Sequence, residues 1–168
     1  MGLPIDHFIA STNINDTIPR YIKDGFFEPN DTQATISNAM DVGNPSNFIR
    51  IQELFNNDIE ALKNTFSSYS FKDDKTKAIM KEIYTKSGYV AEPHGAIGYL
   101  GLKKEMAKQP NSVGVFLETA HPIKFLDTVE PLLHLKLPIP KQIESVLNKD
   151  KVSVKISSYN DFKSYLLR

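Results

Sequence analysis

Small hydrogen-bonding side chains are concentrated where apolar stretches of this chain give way to helical patterns. The longest such segment is SNAMDVGNPSNFIR, residues 37–50, and shorter ones are STNIND from residue 11, EPHG from residue 92 and ETAHP from residue 118. A helix N-terminus beside amide, hydroxyl and carboxylate groups suits a phosphate or a carboxylate ligand. These polar segments are therefore the candidates for chemistry.

The polar segment at residues 37–50 could bind an anionic ligand through Asp41, Ser46, Asn47 and Arg50. Helix capping and ordinary surface charge are the alternative explanation of the same residues. Thr119, in the segment from residue 118, has a neutral hydroxyl that can donate or accept a hydrogen bond. Such a group suits a heterocyclic nitrogen, which it would bind without charging it, and a purely structural role is the alternative.

Two of the histidines lie in polar segments, and packing is the alternative to catalysis for both. His94 stands at a helix entry. His121 precedes a proline, which restricts its backbone to extended conformations. No third residue stands at metal-ligand spacing from them, so the sequence predicts no metal site. Nor does it contain a glycine-rich dinucleotide loop, a Walker loop, a nucleophile elbow or a paired-carboxylate signal.

Short apolar runs that alternate with helical periods predict an α/β fold. Strands are predicted at residues 7–10, 32–36, 89–91, 113–117 and 152–156, and residues 58–88 are predicted as two helices, the first capped by Asp58 and the second stopped by Gly88. A helix after residue 16 is predicted to stop near Gly25, and another is predicted over residues 140–148. The run VGVFL, residues 113–117, is apolar at every position, which is typical of a parallel strand covered on both faces. We therefore expect a mostly parallel sheet with helices on both faces. The polar segments would lie at the carboxyl ends of its strands, where ligands bind in such sheets.

Composition narrows the classes of function. The chain has 168 residues, and its 20 Lys and Arg balance its 20 Asp and Glu. Zero formal net charge gives no reason to expect a nucleic acid or an anionic membrane as partner. The absence of cysteine excludes disulfides, thiolate metal sites and cysteine catalysis. No apolar run approaches the roughly 18 residues of a membrane span, and the N-terminus lacks the features of a signal peptide, so we expect a cytoplasmic protein.

The polar segments, read with their flanks, carry a family resemblance. STNINDTIPRYIKDG, TQATISNAMDVGNPSNFIRIQELF, YVAEPHGAIGYLGLK and ETAHPIKF together resemble threonine synthase. That family depends on pyridoxal 5'-phosphate and belongs to the tryptophan-synthase-β group, fold type II. SNAMDVGNPSNF and TAHPIKF, in this order and spacing, resemble the branch typical of bacteria and fungi. The resemblance covers nearly the whole chain and implies that residues 1–168 are the C-terminal portion of the catalytic region.

The resemblance also assigns residues. It implies that Thr119 contacts the pyridine nitrogen of the cofactor. It implies that the segments near residues 13–20 and 37–50 line the active-site cleft, with candidates near substrate or cofactor at Asn15, Asp16, Ser37, Asn38 and Asp41. Ile123 stands where the family often has alanine. Family members are more than twice as long, and both the Schiff-base lysine and the loop that holds the cofactor phosphate lie in their N-terminal half. No catalytic residue is therefore expected in this chain.

By resemblance, the full-length protein would convert O-phospho-L-homoserine and water to L-threonine and phosphate. The chain alone would be inactive, because its expected partner is the N-terminal half of the same protein. Without that half, the chain could self-associate through the surface that the half normally covers. One alternative is a related phospho-lyase that stops after elimination. Another is a non-catalytic binding or scaffold domain.

Overall fold

The structure, a computed structural model, describes residues 3–146 and 149–168. The chain divides into two units, Met1–Leu137 and Pro138–Arg168. Within the described residues, no helix combines the length and the apolar character needed to cross a membrane. The polar segments all lie in the first unit, so its architecture decides which of their side chains meet.

The sheet of the first unit consists of two parallel strands among the described residues. Strand β1 (Phe8–Thr12) pairs with β2 (Phe66–Ser70), so that Phe8 lies opposite Phe66 and Thr12 opposite Ser70. The connection between them carries helices, as a parallel pairing requires. Parallel pairing with a helical crossover confirms the predicted α/β class, and it confirms β1 at the position predicted from HFIA.

Local signals account for several helix ends. The helices of this unit are α1 (Thr17–Asp24), α2 (Ile49–Leu54), α3 (Ile59–Thr65), α4 (Asp73–Ser87), α5 (Pro93–Met106) and α6 (Leu126–Leu133), with 3₁₀ turns at Asn38–Met40 and Pro122–Phe125. As predicted, α1 and α4 stop at Gly25 and Gly88, with φ of 83° and 69°, a conformation that glycine adopts without strain. Asp58 caps α3 by accepting from the Glu60 and Ala61 amides, both at 3.0 Å.

Two apolar clusters hold this unit together. The first joins α4, α5 and α6, and its buried members are Ile79, Met80, Ile83, Ala91, Ala96, Phe125, Val129 and Leu133. The second packs α1 against the segments before α2 and within α3, through Ile18, Tyr21, Phe48 and Leu62. In the second cluster the rings of Tyr21 and Phe48 meet edge to face, with centroids 5.3 Å apart. The polar segment at residues 37–50 is thereby anchored at its C-terminal end by Phe48.

Helix α5 approaches β1 closely because it has glycine at the contact. A Cβ atom added at Gly101 would overlap the Ser11 hydroxyl and would lie 3.2 Å from a methyl carbon of Ile9. Gly98, three residues earlier, has no atom nearer than 3.9 Å to such a Cβ. Close packing of α5 on β1 therefore requires glycine at residue 101 but not at residue 98.

Several strand predictions were wrong for this chain. Within the described residues, no ladder forms at 32–36, at 89–91 or at 113–117. Side chains at 113–120 alternate between partly buried and exposed, and Val113 and Val115 are 95% and 80% exposed. A strand needs hydrogen-bonding neighbours, and the chain covers only one face of this run. Conversely, Phe66 was predicted to be helical but begins β2. Local sequence could not indicate this, because the strand that pairs with it, β1, lies far away in the chain.

The second unit, Pro138–Arg168, contains two helices among its described residues. Helix α7 (Lys141–Glu144) follows Pro140 as predicted, whereas residues 147 and 148 of the predicted helix lie outside the described residues. Ser158 caps helix α8 (Tyr159–Leu166), since its hydroxyl accepts from the Asp161 amide at 3.1 Å. The strand predicted at 152–156 does not form, and Val152 is 94% exposed.

Candidate functional site

A hydrogen-bond network lies immediately after the carboxyl end of β1, and Asn13 is its centre. This side chain is 0% exposed. Its Nδ2 lies 2.8 Å from Asp41 Oδ1, 2.9 Å from Thr35 Oγ1 and 3.1 Å from Ser37 Oγ. Its Oδ1 accepts from both the backbone and the side-chain amide of Asn15, each at 2.9 Å. The polar segments that begin at residues 11 and 37 are therefore joined through one buried amide.

The same network replaces the strand predicted at residues 32–36. Asn15 pairs with the backbone of Gln33, donating to its carbonyl at 2.9 Å and accepting from its amide at 2.8 Å. Asp41 accepts from the Thr35 amide at 2.9 Å and from the Thr35 hydroxyl at 2.8 Å. Side-chain groups thus satisfy backbone groups that a ladder would otherwise satisfy, which lets this segment run beside β1 without pairing to it.

The predicted cleft residues separate into three kinds. Asn15, Ser37 and Asp41 meet in the network, where most of their polar groups bind one another and the nearby backbone. Asp16 makes no capping bond to α1 and instead pairs with Arg20, at 3.0 Å between Oδ1 and Nε. Asn38 is exposed. Their roles near a ligand stay predictions.

Small residues in the segment at 37–50 let it pass close to another stretch of the backbone. The Thr17 hydroxyl donates to the Gly43 carbonyl at 2.6 Å, and the Gly43 amide donates to the Thr32 hydroxyl at 3.0 Å. A Cβ atom on Gly43 would overlap the carbonyl oxygen of Asn30. Much of this segment is therefore polar because it binds neighbouring backbone, while Ser46, Asn47 and Arg50 lie exposed on the surface.

An open groove of about 410 Å³ lies beside the network. Residues 34–36 and Asn38 line it together with Asp73 at the start of α4, and the rest of the lining is Lys124, Phe125, Asp127 and Thr128. Asn38 and Lys124, both exposed, bring an amide and a cation to its lining. The groove therefore brings the segment from residue 37 together with the segment that follows Thr119. Asn38 is the predicted site residue that lines it.

Thr119 lies at the end of the extended run after residue 113. Its side chain is exposed, on the same outward face as Val113, Val115 and Leu117. Among the residues that the structure describes, none makes a hydrogen bond with its hydroxyl, which leaves the group available to a ligand. His121, two residues later, accepts from the Ile123 amide at 3.1 Å through Nδ1 and so caps the 3₁₀ turn. A structural role thus accounts for His121.

His94 belongs to the entry of α5, as the packing interpretation predicted. Its Nδ1 donates to the Glu92 carboxylate, and its ring packs on Phe125 with centroids 4.8 Å apart. Glu92, 0% exposed, also accepts from the His94 and Gly95 amides, both at 2.9 Å. Burial alone would raise the pKa of Glu92, but these hydrogen bonds outweigh it and hold the pKa below its ordinary value.

Sequence reasoning missed Glu118, a second buried carboxyl group beside Glu92. Both of its carboxyl oxygens are shielded from solvent and have no hydrogen-bond partner among the described residues. Burial and the charge of Glu92 raise the pKa of Glu118 to about 7. Its place in a polar segment was the available signal, but its burial depends on the fold. Within the described parts of the chain, no cluster of three or more His, Cys, Asp or Glu could hold a metal ion.

Comparison with known proteins gives consistent matches. A family profile described as "Threonine synthase, C-terminal" matches residues 95–165. Threonine synthase of Buchnera aphidicola subsp. Baizongia pistaciae is 43% identical over 99% of this chain and 38% of its own length. That of Escherichia coli is 45% identical over 85% of this chain and 32% of its own length. The chain thus spans about two-fifths or less of the relatives that it matches.

Solved structures match the fold of this chain over the same 99% of its residues as the Buchnera aphidicola sequence does. The crystal structure of threonine synthase from Escherichia coli superposes with a TM-score of 0.86 and 38% identity, over 99% of this chain and 38% of that one. The PLP-bound threonine synthase from Brucella melitensis gives a TM-score of 0.80 and 27% identity, over 99% and 41%. Sequence and fold agree over nearly every residue of this chain. The chain therefore belongs to the threonine synthase family, in which it corresponds to the C-terminal portion of the longer members.

Proposed function

We propose that this chain is the C-terminal portion of a threonine synthase that converts O-phospho-L-homoserine and water to L-threonine and phosphate. The observation that supports this most directly is the extent of the match, 43% identity over 99% of the chain. Because the chain spans only 38% of that relative, the activity belongs to a longer polypeptide. The enzyme would be a carbon–oxygen lyase acting on phosphates, and its cytoplasmic location stays a prediction.

Thr119 fits the cofactor that the family uses. Its hydroxyl is exposed and lies at the end of an extended run, so it can meet a planar ring that approaches from the outward face. A neutral hydroxyl can bind the ring nitrogen without forcing a proton onto it, as a carboxylate would. When bound, pyridoxal 5'-phosphate supplies an electron sink for negative charge next to the amino group of the substrate. In this chain, Thr119 would orient the ring.

The groove offers polar groups for a substrate. Lys124 brings a positive charge and Asn38 brings amide donors, so a phosphate group would bind beside these two residues and away from the Asp73 and Asp127 carboxylates of the same lining. The network around Asn13 fixes the wall that carries Asn38 by holding residues 33–41 against the end of β1. We therefore propose that Asn15, Ser37 and Asp41 shape the cleft wall, and that Asn38 lies nearest to substrate.

The outward face of residues 113–117 fits the missing N-terminal portion. Val113, Val115 and Leu117 are 95%, 80% and 76% exposed, although the run reads as a strand covered on both faces. The relatives carry more than half of their length outside the matched region. We propose that this N-terminal portion pairs with the run and covers it. Thr119 shares that outward face, so the cofactor would bind between the two portions.

Product analysis tests the activity. The complete protein, with its N-terminal portion, is incubated with pyridoxal 5'-phosphate and O-phospho-L-homoserine, and threonine and phosphate are measured. Equal amounts of both products are expected. The chain of 168 residues alone, under the same conditions, should form neither product, because the resemblance implies that the lysine that holds the cofactor lies in the N-terminal portion.

The same assay separates the alternatives. Phosphate release without threonine would indicate a phospho-lyase that stops after elimination. Absence of both products, together with tight binding of the substrate, would indicate a non-catalytic binding domain. Threonine formation by the isolated chain would contradict the proposal that the catalytic lysine lies elsewhere.

A further inference from the structure

Two carboxyl groups converge at the first turn of α5. The Glu92 carboxylate is fully buried and accepts hydrogen bonds from the amides of His94 and Gly95, each at 2.9 Å, and from the His94 ring. These donors suit an ionised group, since a carboxylate accepts several hydrogen bonds. Glu92 is therefore the charged member of this turn.

Glu118 reaches the same turn from the run of residues 113–120. Its side chain lies on the inward face of that run, opposite to Thr119. Its carboxyl group occupies the space next to Gly95, because a Cβ atom added at Gly95 would overlap it. Both of its oxygens are shielded from solvent and accept no hydrogen bond from the described residues. Gly95 thus makes room for Glu118 beside the Glu92 carboxylate.

An ionised Glu118 would be poorly placed here. Two carboxylates can only accept hydrogen bonds, so they repel each other in a buried site unless one carries a proton. A protonated Glu118 gains an O–H donor, and Glu92 is the adjacent charged acceptor. Burial and the charge of Glu92 raise the pKa of Glu118 to about 7, in agreement with this arrangement.

We propose that Glu118 is a positioning residue, which as a neutral acid donates a hydrogen bond to Glu92 and so fixes the backbone of Thr119 against the start of α5. Thr119 is adjacent in sequence, so a Glu118 side chain that is held in place also fixes the backbone position of Thr119 and thereby the location of the Thr119 hydroxyl. The importance of that position for the cofactor rests on the proposed function. The hydrogen bond from Glu118 to Glu92 is independent of the proposed function.

Other titratable groups surround the pair without replacing it. His94 donates to Glu92 through Nδ1, and its Nε2 has no partner among the described residues. Burial, followed by the charges of Glu118 and Glu92, raises the pKa of Tyr89, which keeps this phenol neutral. Lys86 and Glu82, both on α4, pair with each other at 2.7 Å. No cation from these elements bonds to Glu118 in the described structure, so protonation of Glu118 itself, below about pH 7, is what relieves the repulsion.

The arrangement gives a defined pH dependence. The pKa of Glu118 is about 7 in the folded chain and 4.5 for the ordinary group. Between these values the folded chain keeps the proton and the unfolded chain does not, so the contribution of Glu118 to stability is complete below 4.5 and is lost as pH rises through about 7. Glu92, whose pKa is lowered, contributes stability that is lost only as pH falls below its ordinary value of 4.5. The two effects therefore lie in separate pH windows.

Nuclear magnetic resonance of the full 168-residue chain tests the proposal without any cofactor. The side-chain carboxyl carbons of glutamate and the backbone amide of Thr119 are followed from about pH 4 to about pH 9. We expect the Glu118 carbon to titrate with a midpoint near 7. The Thr119 amide should shift with the same midpoint, and its opening equilibrium, derived from hydrogen exchange after correction for pH, should rise about tenfold above it.

Glu118→Gln is the informative variant, because its amide is neutral and still donates to Glu92. It should hold the Thr119 amide in its low-pH position at every pH. Glu53→Gln makes the same chemical change on an exposed glutamate and should leave the titration of the Thr119 amide as in the wild type.

A Glu118 midpoint at the ordinary value, or a Thr119 amide that ignores the titration, would overturn the proposal. The wild-type titration decides this even if Glu118→Gln fails to fold. Failure of the cofactor experiment on Thr119, with the titration intact, would instead count against the proposed function.

Discussion

At the scale of single residues, the hydroxyl of Thr119 carries the cofactor proposal. Thr119→Val keeps the shape of the side chain and removes the hydrogen bond. Leaving a buried ring nitrogen without a partner costs about 1–3 kcal/mol, so cofactor affinity in the complete enzyme should fall by about tenfold or more. The absorption spectrum of the bound cofactor should also change. Cofactor titration of both proteins measures the effect.

A matched control accompanies that substitution. Thr85→Val changes an exposed threonine on α4, away from the groove, and should leave affinity and spectrum unchanged. Circular dichroism of each variant checks the fold. Equal dissociation constants and spectra for Thr119→Val and wild type would mean that Thr119 is structural and that the cofactor lies elsewhere.

Asn13 is the residue whose removal should most disturb the cleft wall. Asn13→Ala leaves Asp41 and Asn15 without their shared buried partner. Loss of a buried hydrogen-bond partner costs about 1–3 kcal/mol, so the free energy of unfolding should fall by at least that amount. Urea denaturation of the chain measures it. Asn47→Ala, on an exposed part of the segment at residues 37–50, is the control, and a similar loss in both variants would contradict a structural role for the network.

At the scale of elements, the contact between α5 and β1 yields a paired test. Glycine to alanine in a helix interior stabilises by up to about 1 kcal/mol through helix propensity. Gly98→Ala has room for its methyl group and should show this gain, whereas Gly101→Ala would overlap the Ser11 side chain. Overpacking costs about 1–3 kcal/mol. The free energy of unfolding of Gly101→Ala should therefore be lower than that of Gly98→Ala by about this cost.

Thermal and urea unfolding of both glycine variants check this prediction. Because both positions lie in α5, propensity cancels in the comparison and the difference reports the helix–strand contact. Ser11→Ala removes the hydroxyl that the new methyl group would meet, so the double variant Ser11→Ala/Gly101→Ala should recover part of the loss. Equal stability of Gly98→Ala and Gly101→Ala would show that α5 can move off β1 without penalty.

At the scale of the whole molecule, the isolated chain should associate with itself. The outward face of residues 113–117 exposes Val113, Val115 and Leu117, and exposed apolar patches of this kind mark surfaces that normally have a partner. Light scattering should detect species larger than a monomer at high concentration, and a hydrophobic dye should bind. Val115→Lys should reduce both signals, because a charge on this face opposes its burial.

The control for that surface is Val42→Lys. Val42 is 46% exposed and lies outside the run at 113–117, so its replacement should not alter association. Adding the N-terminal portion of the protein should compete with self-association. A wild-type chain that stays monomeric and binds no dye would contradict the proposed covering of this face.

The sequence by itself determined the features that depend on neighbouring residues. The stops at Gly25 and Gly88, the cap at Asp58 and strand β1 follow from such rules. These predictions succeed because capping bonds join residues only a few positions apart. The α/β class and the family were also readable from the alternating pattern and the polar segments. Glu118, in contrast, was indistinguishable from an exposed glutamate.

Tertiary structure alone decided which segments pair and which side chains meet. Strand β2 forms at Phe66–Ser70 because β1 lies beside it, while the more apolar run at 113–117 forms no ladder in the described chain. Asn13 and Asp41 meet across 28 positions of sequence, and Glu118 meets the turn at Gly95. A strand and a buried polar group are both stabilised by partners distant in sequence. Local patterns therefore indicate which residues can pair, and the fold supplies the partner.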